Sequence, residues 1–425
     1  MDYKQKYLKY KQKYLKMLRD QKGGEPFLSD ILASRVFSWL FVKNQRQLQY
    51  IFTVRMPSLG NITLNHKLRL HVIARSSLSV TLARRLGKLS YSSRSELQLI
   101  KRILSRINKA QIISPPTCVA TINNNYDQVM TVAFHPTLLI LATGSNDDII
   151  KLWNCTNPQV PIIIANLKNH TRIVYSVVFH PTLPVLATCS ADSTVKLWNC
   201  SNIQNPPTLI TTLNHTDSVN SVAFHPILLL LATGSSDTTV KLWKFSNVQN
   251  PPTLIATLKH TNEIFLVAFH PILPLLVISS NHNLKLWDCS TPENPTFIRD
   301  SQSGHTGLIN SVAFHLTLPL LATGSRDRTV KLWDCSNPHD PIVQATIQEH
   351  RNIVNSVAFH STLPLLASGS EDSTIKLWDC TDPHNPLKVA NLRHNTNWVR
   401  SVAFHRTLPF LATGSADGTV KLWQL

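Results

Sequence analysis

From residue 114 onward, short runs of apolar and β-branched residues alternate with polar residues typical of turns. Between residues 208 and 243 four such runs follow one another: TLITTL, VNSVAFHP, LLLLATGSS and TTVKLW. Runs of this length and composition, bounded by turn residues, predict β-strands. The segment is therefore predicted to form four consecutive strands, with His215 and Asp237 in the connections between them.

The four-strand unit is repeated along the chain. Each copy contains Lys-Leu-Trp, and successive tryptophans are separated by 44 to 46 residues. A period of this size is typical of four-stranded propeller blades, and propellers hold about four to eight blades. We therefore predict an all-β fold, a seven-bladed β-propeller over residues 114–425. The seven tryptophans are Trp153, Trp198, Trp243, Trp287, Trp333, Trp378 and Trp423.

The seventh copy lacks a fourth strand of its own, since the sequence ends two residues after Trp423. Residues 117–122 (TCVATI) match the outer-strand runs TLITTL and TLIATL of later copies. A propeller that combines the two ends of its chain in one blade leaves no unpaired strand edge at the seam. We therefore expect strand 117–122 to complete the seventh blade.

Residues 1–113 contain no copy of the repeat and carry most of the unbalanced charge. They hold 23 Lys and Arg against 5 Asp and Glu, whereas residues 114–425 hold 19 of each. Dense positive charge attracts phosphates without sequence preference, so nucleic acid or an anionic surface is a candidate partner of this region. The propeller itself is predicted to be electrically neutral.

The basic region divides into two parts. Residues 1–24 form a Lys/Tyr arm in which the heptad YKQKYLK occurs twice in succession. Residues 25–113 form an extension that we expect to be mostly helical or partly disordered. The clearest helix is predicted over 93–107, where Ser93 and Glu96 have capping-box spacing. Residues 68–83 suit a short hairpin or a helix.

Two resemblances concern this N-terminal part. The duplicated heptad resembles N-termini of giant viruses that infect amoebae, which would make the protein viral. Residues 27–55, with Phe-Ser-Trp-Leu at 37–40, resemble part of an F-box, although the leading Leu-Pro of that motif is absent. The F-box resemblance implies a ubiquitin-ligase substrate receptor as an alternative function.

From residue 114 the chain resembles the WD-repeat family over its full length. The resemblance implies a hydrogen-bonded set in each blade, formed by a loop histidine, a serine or threonine, a turn aspartate and the tryptophan. The first blade has Asn125 at the histidine position, the last has His394 displaced by one residue, and the fourth offers Asn281 or His282 in place of the aspartate. The residues predicted for these sets are His170, Thr188, Asp192, Trp198, His215, Thr233, Asp237, Trp243, His305, Thr323, Asp327, Trp333, His350, Ser368, Asp372, Trp378, Asp147, Trp153, Asp417 and Trp423.

The polar residues do not predict an enzyme. A single Ser-His-Asp set would suggest a hydrolase, but here the set recurs in blade after blade together with a tryptophan. A histidine also follows phenylalanine once in each copy, and one equivalent histidine per blade cannot converge on a metal ion. We therefore predict no catalytic, cofactor-binding or metal site and no cofactor. The repeated histidines are His135, His180, His225, His270, His315, His360 and His405.

Cysteine usage and hydropathy concern the location of the protein. The seven cysteines are an odd number without a Cys-x-x-Cys pair, which favours free thiols in a reducing, intracellular compartment such as the cytoplasm. No apolar run is long enough to span a membrane, and the N-terminus lacks the apolar core of a signal peptide.

These observations favour a non-catalytic scaffold for protein–protein interaction, as the family resemblance implies, with a monomeric propeller whose partners are other proteins. The residues that vary between copies while their neighbours stay constant are the candidate partner contacts. WD-repeat adaptors of one ubiquitin ligase carry a basic residue two positions after Trp-Asp, and this chain has none there. The candidate contacts are Tyr175, Asn220, Asn310, Arg326, Glu371 and Arg400.

Overall fold

The computed structural model describes residues 116–123, 127–203, 205–245, 250–394 and 397–425. These residues form seven antiparallel sheets of four strands each, which are the blades of a seven-bladed propeller. The predictions for residues 1–113, namely the heptad arm, the helices, the hairpin and the F-box-like stretch, lie outside the described residues.

The strands are numbered in chain order. Blades 1 to 3 consist of β2 (Val129–Phe134), β3 (Ile140–Ser145), β4 (Ile150–Asn154) and β5 (Ile162–Leu167); β6 (Val174–Phe179), β7 (Val185–Ser190), β8 (Thr194–Asn199) and β9 (Thr208–Asn214); and β10 (Val219–Phe224), β11 (Leu230–Ser235), β12 (Thr239–Lys244) and β13 (Thr253–Lys259). Blades 4 and 5 consist of β14 (Leu266–Phe269), β15 (Leu275–Ser280), β16 (Asn283–Asp288) and β17 (Thr296–Ser301); and β18 (Ile309–Phe314), β19 (Leu320–Ser325), β20 (Val330–Asp334) and β21 (Ile342–Ile347). Blades 6 and 7 consist of β22 (Val354–Phe359), β23 (Leu365–Ser370), β24 (Thr374–Asp379) and β25 (Leu387–Arg393); and β26 (Val399–Phe404), β27 (Phe410–Ser415), β28 (Thr419–Gln424) and β1 (Thr117–Asn123).

The strands of each blade follow one another from the propeller axis outward. The first strands of neighbouring blades lie beside one another and form the inner ring. In the seventh blade the outer strand is β1, which pairs antiparallel with β28 from Thr117 opposite Gln424 to Asn123 opposite Thr419. At the same seam, the backbone N–H of Val132 donates to Ser401 Oγ at 3.1 Å. The two ends of the described propeller are thus joined by a strand ladder and by side-chain contacts.

The hydrophobic core lies between blades. Each apolar cluster combines residues of one blade with the facing strands of the next. In every blade, the second strand counted from the axis is buried along its whole length. Packing is close enough to require small residues on these strands. A Cβ added to Gly324 would lie 2.7 Å from Cγ1 of Val354 in the next blade, closer than ordinary van der Waals contact. The small residues of the repeat therefore make room for the neighbouring blade.

The fourth blade departs from the others in two ways. Its inner strand β14 has four residues, whereas the other inner strands have six. Its second and third strands are joined by the two residues Asn281 and His282, with Asn281 at φ 59°. Asparagine tolerates this left-handed conformation better than most residues. The shortened turn leaves no position for the aspartate of the other blades.

Candidate functional site

Four blades contain a complete chain of hydrogen bonds, which we call the relay. In blade 3, Trp243 Nε1 donates to Thr233 Oγ1 at 3.0 Å, and this hydroxyl lies 2.8 Å from His215 Nε2. His215 Nδ1 in turn lies 2.8 Å from Asp237 Oδ2. This chain of hydrogen bonds links the third strand to the second strand, and the second strand to the loop before the inner strand and to the turn after the second strand. The other complete relays are His170, Thr188, Asp192 and Trp198 in blade 2; His305, Thr323, Asp327 and Trp333 in blade 5; and His350, Ser368, Asp372 and Trp378 in blade 6.

The proton positions in the relay follow from its chemistry. An ionised carboxylate only accepts, so His215 Nδ1 carries a hydrogen and His215 Nε2 accepts from the Thr233 hydroxyl. Burial by itself would raise the pKa of Asp237, but hydrogen bonds from Thr239, Thr216 and His215 more than offset this and hold the pKa below its usual value. Burial lowers the pKa of His215, so the relay joins a carboxylate to a neutral imidazole.

The relay resembles a Ser-His-Asp set in composition, but its hydroxyl faces the protein. Thr233 is fully buried, with 0% of its surface exposed, and its oxygen already receives the indole N–H of Trp243. A nucleophile must reach a substrate, and this oxygen is enclosed on both sides by its relay partners. The arrangement therefore holds the loop and the turn of one blade onto its strands.

In blade 1 a buried lysine forms an ion pair with the turn aspartate. Trp153 Nε1 donates to Thr143 Oγ1 at 3.2 Å as in the other blades, and the Asn125 position lies outside the described residues. Lys151 Nζ, from the Lys-Leu-Trp step, lies 3.6 Å from Asp147 Oδ2 with only 1% of the residue exposed. Burial lowers the pKa of Lys151, and Asp147 opposes this shift. Sequence analysis assigned no role to Lys151, although it is the lysine of the repeated Lys-Leu-Trp triplet.

Lys151→Ala is expected to lower the free energy of unfolding by about 1–3 kcal/mol, because Asp147 would lose its buried counter-charge. Urea denaturation followed by tryptophan fluorescence measures the change. Lys331→Ala is the matched control, since Lys331 Nζ bonds the hydroxyl of Thr346 at 3.2 Å near the surface. Equal losses for the two variants would contradict a special role for Lys151.

In blade 7 the displaced histidine contacts the backbone instead of the relay. His394 Nε2 donates to the carbonyl oxygen of Thr413 at 3.2 Å, and its buried Nδ1 has no partner among the described residues. Trp423 Nε1 still donates to Thr413 Oγ1 at 2.9 Å, and Asp417 accepts from Thr419. The one-residue insertion therefore separates the histidine from the hydroxyl and leaves the rest of the set in place.

In blade 4 the relay is dismantled. Ile278 stands where the other blades have threonine or serine, a change that sequence analysis missed although LLVISS aligns directly with LLATGS. The indole ring of Trp287 lies 5.7 Å from the ring of His260. Trp287 Nε1, His260 Nε2 and Ser280 Oγ are buried and have no hydrogen-bond partner among the described residues. Buried polar groups normally have hydrogen-bond partners, so these unpaired groups are expected to destabilise blade 4.

The histidines of the Phe-His steps form a second repeated structure, which we call the histidine–phenylalanine ring. Each imidazole packs edge-on against the phenylalanine of the neighbouring blade, with ring centroids 4.9–5.4 Å apart in all seven blades. Each Nδ1 accepts backbone N–H groups two and three residues later at 2.8–3.3 Å. The hydrogen is therefore on Nε2, which in His315 donates to Leu363 of the next blade at 2.9 Å.

The candidate partner contacts lie around one mouth of the inner ring. Tyr175, Asn220, Asn310 and Arg400 are half-buried residues of inner strands, one per blade. Asn220 Nδ2 donates to the carbonyl of Ile264 in the next blade at 2.9 Å, and Asn310 Nδ2 donates to Val354 at 3.3 Å. The asparagines therefore also link neighbouring blades.

The other two candidate partner contacts, Arg326 and Glu371, lie on the turns that follow the second strands of blades 5 and 6. Arg326 is exposed, and its Nε donates to Asn310 Oδ1 at 3.3 Å. Glu371 accepts from Arg400 Nη1 at 3.4 Å. Phe265 occupies the equivalent inner-ring position in blade 4 and is half-buried. Sequence analysis did not single out Phe265.

Six of the seven cysteines are buried and all seven are free. Burial raises the pKa of Cys155, Cys200, Cys289 and Cys335 to about 12, and raises that of Cys189 and Cys380 as well. Because the thiolate is the reactive form, a thiol reagent at pH 8 is expected to modify Cys118 rapidly in the folded protein and all seven cysteines after denaturation. Rapid modification of a second thiol in the folded state would contradict this burial.

No group of three or more His, Cys, Asp or Glu side chains among the described residues could hold a metal ion. No helix in the described ranges is long and apolar enough to cross a membrane.

Comparison with known proteins agrees with the geometry. The family model for the WD domain, G-beta repeat, matches six stretches that together exceed half of the chain: residues 116–154, 162–199, 207–244, 298–334, 342–379 and 386–424. The gap between residues 244 and 298 contains most of blade 4, in which the relay is dismantled. A comparison with curated proteins gives no significant match. The six matched stretches and the seven-bladed fold establish that the chain belongs to the WD-repeat family.

Proposed function

We propose that the protein is a non-catalytic scaffold that binds other proteins at the mouth of the inner ring. The observation that supports this most is the contrast between the buried and the accessible positions of the blades. The tryptophan–hydroxyl bond recurs in six blades and the histidine–phenylalanine contact in all seven. The half-buried mouth positions instead hold methionine, tyrosine, phenylalanine and arginine in blades 1, 2, 4 and 7 and asparagine in blades 3, 5 and 6. A rigid frame that presents different side chains at equivalent places is suited to recognising one particular partner.

Affinity capture from a cell extract, followed by mass spectrometry, tests this function. Full-length protein is compared with Tyr175→Ala, which alters the mouth, and with Leu387→Ala, which removes an exposed side chain from the outer strand β25. We expect a partner that is retained by the wild type and by Leu387→Ala and is lost by Tyr175→Ala. If no captured protein depends on the mouth, the proposed binding face is wrong.

The unequal distribution of charge supports a second function, association of residues 1–113 with nucleic acid or another anionic surface. These residues carry the whole excess of 18 positive charges. Phosphate binding by lysine and arginine weakens as salt rises, because binding releases counterions. We expect the full chain to bind a DNA duplex in 50 mM salt and to release it as salt increases. Binding that is absent at low salt would contradict this function.

The free thiols further support a reducing, intracellular compartment for the protein, since disulfides are rare there. The arrangement of the chain into a basic arm (1–24), a basic extension (25–113) and the propeller (114–425) remains our proposal for its organisation.

A further inference from the structure

We propose that one sector of the mouth binds the carboxylate of an acidic residue of the partner protein. This arginine sector consists of Arg326, Glu371, Trp398 and Arg400, from blades 5, 6 and 7. The inference rests on the proposed function, because it names the chemistry of the partner at the same face.

Arg400 is held in place but has few hydrogen-bond acceptors. Its guanidinium carbon lies 4.8 Å from the centroid of the Trp398 ring, a stacking that orients the planar group. Nη1 contacts Glu371 at 3.4 Å and Nη2 contacts Gln128 at 3.3 Å, both at the long end of hydrogen-bond distances. Nε is buried and has no partner among the described residues. An arginine has five N–H donors, so those of Arg400 are poorly satisfied.

Arg326 adds a second positive charge beside the first. Its Nε donates to Asn310 Oδ1 at 3.3 Å, and Asn310 Nδ2 lies 3.5 Å from Asn355 Oδ1, so a chain of amides leads toward blade 7. Burial lowers the pKa of Arg400, Glu371 opposes this shift, and the charge of Arg326 adds to it. The sector thus holds two guanidinium groups against the single carboxylate of Glu371.

This excess of one positive charge matches a carboxylate. A guanidinium binds a carboxylate with two parallel N–H···O bonds, which are stronger than neutral hydrogen bonds. A phosphate carries about two negative charges at pH 7 and would overcompensate the sector next to Glu371. A monoanionic side chain neutralises it. Asp or Glu of the partner is therefore the better fit.

The side chains around the sector indicate what lies next to the acid. Trp398 is 41% exposed although it is large and apolar, and the one-residue insertion of blade 7 lies in the loop that carries it. Tyr175 and Phe265 occupy other positions of the same mouth. We expect an apolar residue beside the acidic one, packed on the free face of the indole.

Selection from a phage-displayed library of random nonapeptides on the immobilised full-length protein tests the inference. We expect enriched peptides to share an Asp or Glu next to an apolar residue. A synthetic peptide from the selection should bind about tenfold more weakly when its acid is replaced by the amide, and also to Arg400→Met and to Arg326→Met. Arg328→Met is the control, because Arg328 is exposed two residues from Arg326 on the same turn and its loss removes the same charge.

The inference is overturned by a selection without enrichment, by enriched peptides without an acid, or by acidic peptides that bind Arg400→Met and Arg326→Met as well as they bind the wild type. A phosphoserine version that binds more tightly than the glutamate version would also contradict the carboxylate. Arg326 is exposed, so its variant tests the sector even if Arg400→Met unfolds the protein. A partner that depends on Tyr175 while no acidic peptide binds would leave the proposed function standing and remove this inference.

Discussion

Thr233→Val is expected to lower the free energy of unfolding of the propeller by about 3 kcal/mol, although valine has the shape of threonine. The hydroxyl of Thr233 accepts from Trp243 Nε1 at 3.0 Å and donates to His215 Nε2 at 2.8 Å. The substitution leaves a buried indole N–H and a buried imidazole nitrogen without partners, and each such group costs about 1–3 kcal/mol. Urea denaturation measured by tryptophan fluorescence and circular dichroism gives the change.

The reciprocal substitution in blade 4 should have the opposite sign. Ile278→Thr places a hydroxyl at the position where Trp287 Nε1 and His260 Nε2 have no partner among the described residues. Satisfying two buried groups, at about 1–3 kcal/mol each, would exceed the loss of roughly 1.6 kcal/mol for the two buried carbon atoms that the hydroxyl replaces. A stabilised Ile278→Thr together with a destabilised Thr233→Val would show that the hydroxyl, rather than the volume, determines the energy. If both substitutions destabilise equally, packing dominates and the relay is energetically minor.

The two blades also show how far the sequence predicts the structure. The period of the tryptophans predicted an all-β, seven-bladed fold because each Lys-Leu-Trp marks the third strand of a blade, and that prediction is confirmed. The loss of the relay in blade 4 was only half predicted. The missing aspartate is visible as a deletion, whereas Ile278 is inconspicuous because isoleucine suits a buried strand as well as threonine does.

Contacts between blades could not be predicted from the sequence, and the reason is physical. A period of 45 residues shows that a residue recurs, but not which residue of the next copy it touches. The sequence shows only that one histidine follows phenylalanine in each copy, whereas in the fold His225 packs on Phe269 of the following blade with centroids 5.0 Å apart. Lys151 and Asn220 are similar cases, since their partners Asp147 and Ile264 became known only from the fold.

The histidine–phenylalanine ring should make the propeller sensitive to mild acid. Burial lowers the pKa of His180, His225, His270, His315 and His360 to about 4, against 6.5 for an accessible histidine. Between these values the unfolded chain binds a proton that the folded chain does not. The stabilising effect of the neutral form is therefore complete above pH 6.5 and is lost as the pH falls toward 4.

Each histidine contributes a slope of about 1.4 kcal/mol per pH unit within this window. Five such slopes would together exceed about 5 kcal/mol per unit, which is comparable to the whole stability of many domains. We therefore expect cooperative unfolding between pH 6.5 and 4. The relay aspartates act in a different window: their pKa is lowered, so the stability that Asp192, Asp237 and Asp372 provide is lost only below about pH 4.

Burial also lowers the pKa of histidines outside the ring, such as His215 and His260, so the ring is separated from them by how one substitution changes the number of protons taken up on unfolding. This number is obtained from the slope of the free energy of unfolding against pH between 6.5 and 4.5. His225→Asn keeps an acceptor near the position of Nδ1 and should reduce this slope by about one proton, even if it also lowers stability at pH 7. Leu387→Ala changes an exposed side chain that carries no titratable group and should leave the slope as it is. A free energy that stays constant from pH 7 to 4.5 would show that the imidazoles accept protons inside the folded ring, and the neutral ring would then not be what joins the seven blades.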